Sequence, residues 1–185
     1  MNFMQSHSLS LTNDRATAQT FWILTFAILT TIGAQVEIPH NPVPFTLQTF
    51  FVLLAGAVLG RRNGFLSMVS YLALGALGMP VFSGAGFGMA KLLGPTGGYL
   101  LAFPICAFVV GALTSFRSNF SWILFSMVVG LLVVFLFGTL QLNAVYFHDW
   151  KSSFSAGFLI FSWWDVLKLV AAASIAHQFR KGAAA

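Results

Sequence analysis

Asp165 and Lys168 stand three residues apart in the stretch Phe158 to Phe179, which is otherwise apolar enough to read as a membrane-spanning helix. A charged side chain in hydrocarbon costs about 2.5–3.5 kcal/mol by insertion scales, so a span rarely carries two without a use for them. Three-residue spacing sets both side chains on one helix face. A carboxylate and an ammonium so placed can accept from and donate to one polar guest held between helices. The competing readings are a self-neutralising structural ion pair and a Lys168 that snorkels to the interface. Snorkelling is disfavoured because Lys168 lies about 4.5 Å further along the axis than Asp165.

The composition demands a membrane for these residues to sit in. Of 185 residues, 58% are hydrophobic and 7% charged, and the mean hydropathy is +0.86. Soluble domains carry about 25% charged residues, so a soluble particle would lack the surface to dissolve this core. The net charge of +5 is scattered rather than gathered into a patch, which excludes nucleic acid as a partner. The lone Cys106 excludes a disulfide framework. The polar head that includes Asp14 and Arg15 leads into a full-length apolar run, so the first segment reads as a retained helix rather than a cleaved signal.

Six spans position the charged pair: about Gln19–Val36, Leu47–Leu59, Phe65–Met79, Gly98–Leu113, Ser121–Leu140 and Phe161–Phe179. The second and third are short for the ~20 residues that spanning takes, so they are tilted, broken or shielded by neighbours. This predicts an all-α integral membrane protein, with a polar head over 1–18, a six-helix domain over 19–180 and a tail over 181–185. With six crossings, Arg15, Arg61, Arg62, Arg117, Arg180 and Lys181 all fall on one side, and only Lys91 and Lys151 lie in the opposite loops. The positive-inside rule then puts both termini in the cytoplasm and the protein in the cytoplasmic membrane.

Asp165, near the start of span six, faces the same outer side as three distinctive loops. The first holds Glu37, Pro39, His40, Pro42 and Pro44, and its prolines stiffen it into a shaped lid. The second, Pro80 to Thr96, carries Gly84, Gly86, Gly88 and Gly94 with Phe82 and Lys91, and its glycines let backbone approach a ligand. The third, Gln141 to Ile160, has interfacial aromatics. The run Gly94-Pro95-Thr96-Gly97-Gly98-Tyr99 opens span four. It reads equally as helix-start and close-packing chemistry or as a helix N-terminus facing an anionic group, with Lys91 as a further cation.

Other activities lack their residues. Gly84-x-Gly86-x-Gly88 has neither the strand nor the GK[ST] context of a nucleotide loop, so ATP-driven work needs separate subunits. No metal-binding cluster or HExxH is present. An intramembrane serine hydrolase using Ser83 fails because Val81 stands where a GxSG motif requires Gly. A channel would need rings of polar or like-charged groups.

Several blocks in order carry a resemblance: Ile38-Pro39 and Pro42-Val43-Pro44-Phe45-Thr46-Leu47-Gln48-Thr49-Phe50, Leu53 through Gly64, Gly78-Met79-Pro80-Val81-Phe82, Gly94 through Leu100, and Asp165-x-x-Lys168. Together they resemble the BioY family of biotin-binding S-components of energy-coupling-factor (ECF) vitamin transporters, over about Ala27 to Ala176. The resemblance implies a six-helix bundle with an outer-facing biotin pocket. Asp165 and Lys168 would meet the ureido group, and Lys91 the carboxylate. Phe82, Gly84, Gly97, Tyr99, Trp164 and Pro44 would complete the site, with Trp163 as a further apolar wall. It further implies a transmembrane coupling subunit and two ATPases as partners, no cofactor in this chain, and transport rather than catalysis. Another small vitamin is the alternative cargo. Family members often dock through a small-residue face on the first helix, for which Ala27-x-x-x-Thr31, Gly33 and Ala34 are the nearest match.

Overall fold

Long apolar runs leave helix as the structure that satisfies every backbone group without water. The computed structural model describes residues 3–159 and 163–184. In chain order it comprises α1 (Phe3–Gln35), β1 (Glu37–Ile38), β2 (Phe45–Thr46), α2 (Gln48–Ala76), a 3₁₀ turn (Ser83–Ala85), α3 (Met89–Leu93) and α4 (Gly97–Thr114). There follow α5 (Phe120–Leu142), a π-turn (Asn143–Phe147), α6 (Trp150–Gly157) and α7 (Trp163–Ala184). Among the described residues, α1 from Ala16, α2, α4 and α5 with its π-turn are long and apolar enough to cross a membrane.

The halves of α2 are separate rods. Gly60 has φ 78° and ψ 174°, a conformation no other residue type adopts cheaply. A Cβ built on Gly64 would lie 3.0 Å from the Gly56 Cα, whereas residues eight apart on a straight helix are about 12 Å apart. The chain therefore folds back on itself at one glycine. Helix covers most of both stretches expected as spans two and three, but the loop anticipated over 60–64 shrinks to Gly60, with Arg61 to Gly64 already helical.

With that hairpin, the long rods among the described residues are α1, the two halves of α2, α4, α5 and α7. The centre is α4, packed against α2 and α5; α1 lies on α2, and α7 touches both α2 and α5. Val52, Leu53, Phe103, Cys106, Val110, Met127 and Ala172 form part of the core. Large apolar side chains such as Phe21, Ile28, Phe125, Leu136 and Val170 stay exposed and face outward, as lipid-facing positions do.

The loops hold more structure than the sequence suggests. The proline loop is a hairpin in which Glu37 pairs with Thr46 and Ile38 with Phe45. The third loop folds into α6, capped by Asp149, whose carboxylate accepts from the Ser152 N–H at 2.8 Å and hydroxyl at 2.7 Å. These bonds hold the Asp149 carboxyl below its ordinary pKa, so the cap survives mild acidification and is lost only as pH falls through that lowered value. Helix α1 begins at Phe3 and so runs through most of the polar head expected over 1–18.

Candidate functional site

The first turns of α7 deliver Asp165 and Lys168 to the end of the bundle where the proline hairpin sits. Lys168 Nζ lies 2.7 Å from Asp165 Oδ1, each side chain only 5% exposed. The ammonium also donates to the Thr46 carbonyl at 3.1 Å and to Thr49 Oγ1 at 2.9 Å. All three Nζ hydrogens thus have partners, which a buried ammonium requires. The pair ties α7 to the end of the hairpin and to the start of α2.

A second chain of polar groups fixes the same wall. Thr46 Oγ1 donates to Gln48 Oε1 at 2.8 Å, the Gln48 amide donates to the Tyr71 hydroxyl, and that hydroxyl donates to the Val81 carbonyl at 3.1 Å. Thr46, Gln48 and Tyr71 are all buried. Across the loop, Gln35 at the end of α1 donates to the Phe82 carbonyl at 3.1 Å and accepts from the Ala85 N–H at 3.1 Å. One helix end therefore sets the position of the Gly-rich loop.

Two chambers open here. The inner one, about 70 Å³, is lined by Val43, Pro44, Thr46, Thr49, Tyr99, Phe103, Val134, Phe135, Asp165 and Lys168 among others. Its walls are largely apolar and aromatic, with polar groups gathered around the ion pair (Thr46, Gln48, Thr49) and at Ser83 and Thr96, which suits an organic guest with a polar head. The outer one, about 600 Å³, is lined by Glu37, Pro39, His40, Asn41, Pro42, Gly84 and Lys91. Pro44, Ser83 and Thr96 line both, so the two chambers adjoin at these residues.

Of the residues singled out in the sequence, Asp165, Lys168, Pro44 and Tyr99 share the inner chamber, while Gly84 and Lys91 share the outer one. Tyr99 is anchored by donating to the Gly157 carbonyl at 3.0 Å. Phe82 stands apart from both chambers: fully buried, it packs edge-on to Tyr71 and fills the space left by Gly75. Gly97 stands apart from them too. A Cβ there would meet the Leu92 carbonyl oxygen, and one on Gly98 the Phe137 carbonyl, so close packing accounts for both glycines. Trp164, half-buried, lines neither chamber, and Trp163 is exposed. Ala27 and Ala34 are fully buried and Gly33 abuts Leu47 and Phe51, so internal packing takes up these three small residues of α1, while Thr31 stays half-buried.

Of the other residues that line the inner chamber, Thr46, Gln48 and Thr49 figured in the sequence only within the block that carries the resemblance, and Phe103, Val134 and Phe135 were not singled out. A signal existed for the first three, since polar residues opening an apolar run need buried partners. Nothing local distinguished Phe103 or Phe135 from the other phenylalanines, 21 in total.

A multi-pass, all-helical membrane protein with a buried polar floor under an aromatic chamber is the class these features define. The chain matches the BioY family over residues 4–185 and belongs to it. It is 46% identical over 156 residues to the biotin transporter BioY of Thermotoga maritima, covering 84% of this chain and 92% of that one. It is 44% identical over 155 residues to a probable biotin transporter BioY of Pyrococcus horikoshii, covering 84% and 91%. A crystal structure of the S-component for biotin from an ECF-type ABC transporter superposes with a TM-score of 0.84 at 26% identity, covering 91% of this chain and 94% of that one. These relatives are transporters, which sets aside the serine hydrolase built on Ser83.

Proposed function

We propose that this chain binds biotin at the inner chamber and serves its uptake across the cytoplasmic membrane as the S-component of an ECF transporter. A transmembrane coupling subunit and two ATPases would complete the machine, and residues 19–180 form the binding domain. The proline hairpin would face outward and both termini the cytoplasm, as the distribution of basic residues favours.

The observation that carries this reading is the buried Asp165–Lys168 pair on the floor of an aromatic-walled chamber. A ureido ring has two N–H donors and one carbonyl acceptor. Asp165 accepts, Lys168 donates, and Tyr99, Phe103 and Phe135 would flank the thiophane ring. A site built for hydrogen bonds rejects rings that lack them, because its own groups are then left unpaired. Small-molecule sites run to about 300–1,000 Å³, so seating the bicyclic ring has to widen the inner chamber of about 70 Å³. The acyl chain would pass Pro44, Ser83 and Thr96 toward Lys91, with Gly84 alongside.

The test is uptake of labelled biotin by cells with no biotin uptake of their own, expressing this chain with and without the coupling subunit and ATPases. Accumulation that excess unlabelled biotin abolishes, and other vitamins do not, is the expected result. No accumulation in either background would reject the reading.

A further inference from the structure

We infer that the outer chamber is a second recognition element, shaped for the amino-acid end of lysine-linked biotin, so that the chain takes biotinyl-lysine as well as free biotin. This rests on the ureido placement proposed above. With the ring at Asp165 and Lys168, the acyl chain leaves past Pro44, Ser83 and Thr96, the residues common to both chambers. Its far end then enters a space of about 600 Å³, many times what one carboxylate needs. Whatever is joined to that end has room.

The charge on the chamber wall favours one kind of extension. Glu37, in β1, and Lys91, in α3, face the same chamber from opposite elements, and both are half-buried. Glu37 leans toward the Gly-rich loop, its Oε1 3.6 Å from where a Gly84 Cβ would stand. Free biotin brings a single negative charge, which Lys91 can meet and Glu37 can only repel. The end of biotinyl-lysine carries an α-carboxylate and an α-ammonium, one for each wall residue. The wall is also held in place: Glu37 is paired with Thr46 in the hairpin, and Gln35 bonds the loop beside Gly84. Little ordering is therefore left to be done on binding. Hydrolysis of proteins carrying biotin on lysine would supply this substrate, and hydrolysis of its amide bond would release biotin after uptake.

The experiment is competition against labelled biotin on the detergent-purified full chain, using biotin, biotinyl-lysine and biotin butylamide, with wild type and Glu37→Gln. Biotinyl-lysine should compete within about tenfold of biotin. Glu37→Gln should weaken biotinyl-lysine roughly three- to fivefold, the scale of a partly exposed ion pair, while biotin and the uncharged butylamide hold or tighten. Failure of biotinyl-lysine at about a thousandfold excess, where biotin competes, would overturn the inference. So would a Glu37→Gln effect equal on all three ligands. Failure of biotin itself to bind would reject the underlying function and this inference with it.

Discussion

The two ends of the bundle treat charge in opposite ways. At the hairpin end, Asp165 and Lys168 are turned inward, 5% exposed, and joined to Thr46 and Thr49. At the Gly60 end, Arg61 and Arg62 are exposed, Arg117 stacks over Trp122 at 5.4 Å, and Arg180 donates to the Ala57 carbonyl at 3.1 Å. That second end also has a cavity, about 450 Å³, lined by Ala57, Leu59, Gly60, Gly111, Ser115 and Arg180 among others. By size alone it would outrank the inner chamber of about 70 Å³. Convergent buried polar groups, and not volume, separate a site from a gap, because only they represent a desolvation cost that needs a compensating use.

Substitutions at the two ends can break or sharpen this contrast. The largest effect is expected for Lys168→Ala, which leaves the Asp165 carboxylate buried without its cation and takes a donor from Thr46 and Thr49. It should cost about 3–5 kcal/mol, read as a lower thermal unfolding midpoint in detergent and as loss of biotin binding. Gly75→Ala should cost about 1–3 kcal/mol by overpacking, since the new Cβ would collide with the Phe82 ring. The same thermal assay reads it, and Val81, next to Phe82, would shift the polar wall as well. Tyr71→Phe should lower stability by about 1–2 kcal/mol by leaving the Gln48 amide and the Val81 carbonyl unpaired. Arg62→Gln, exposed at the other end, should move stability by less than about 0.5 kcal/mol and leave biotin affinity unchanged. An Arg62→Gln effect on binding equal to that of Lys168→Ala would erase the distinction between the ends.

Much of this was legible in the chain because its signals are local. Asp165 and Lys168 stood out as charges in an apolar run, and the rods followed from hydropathy. The blocks from Ile38 to Lys168 carried the family. Packing was not legible. Phe82 and Gly97 looked like site residues because Phe82 sits in, and Gly97 directly after, the Gly-rich loop that does border the chambers. Their fates depend on Gly75 and on the Leu92 carbonyl, contacts that no reading of neighbours in sequence supplies. The turn between the halves of α2 was legible but not its tightness: Arg61, Arg62 and Asn63 look like a polar loop, and a single positive φ at Gly60 makes the whole turn. The roles of Thr46 and Thr49 came to light only when α7, more than a hundred residues away in the chain, was set against them.

Titration of biotin into the purified wild-type chain and into Asp165→Asn tests the central claim most directly. Asparagine keeps the shape of the side chain and removes the charge that faces both Lys168 and the proposed ureido N–H groups. Saturable one-to-one binding by the wild type, weakened at least about a hundredfold in the variant, is the predicted result. Equal affinity in the two proteins would contradict it and move the site away from the ion pair.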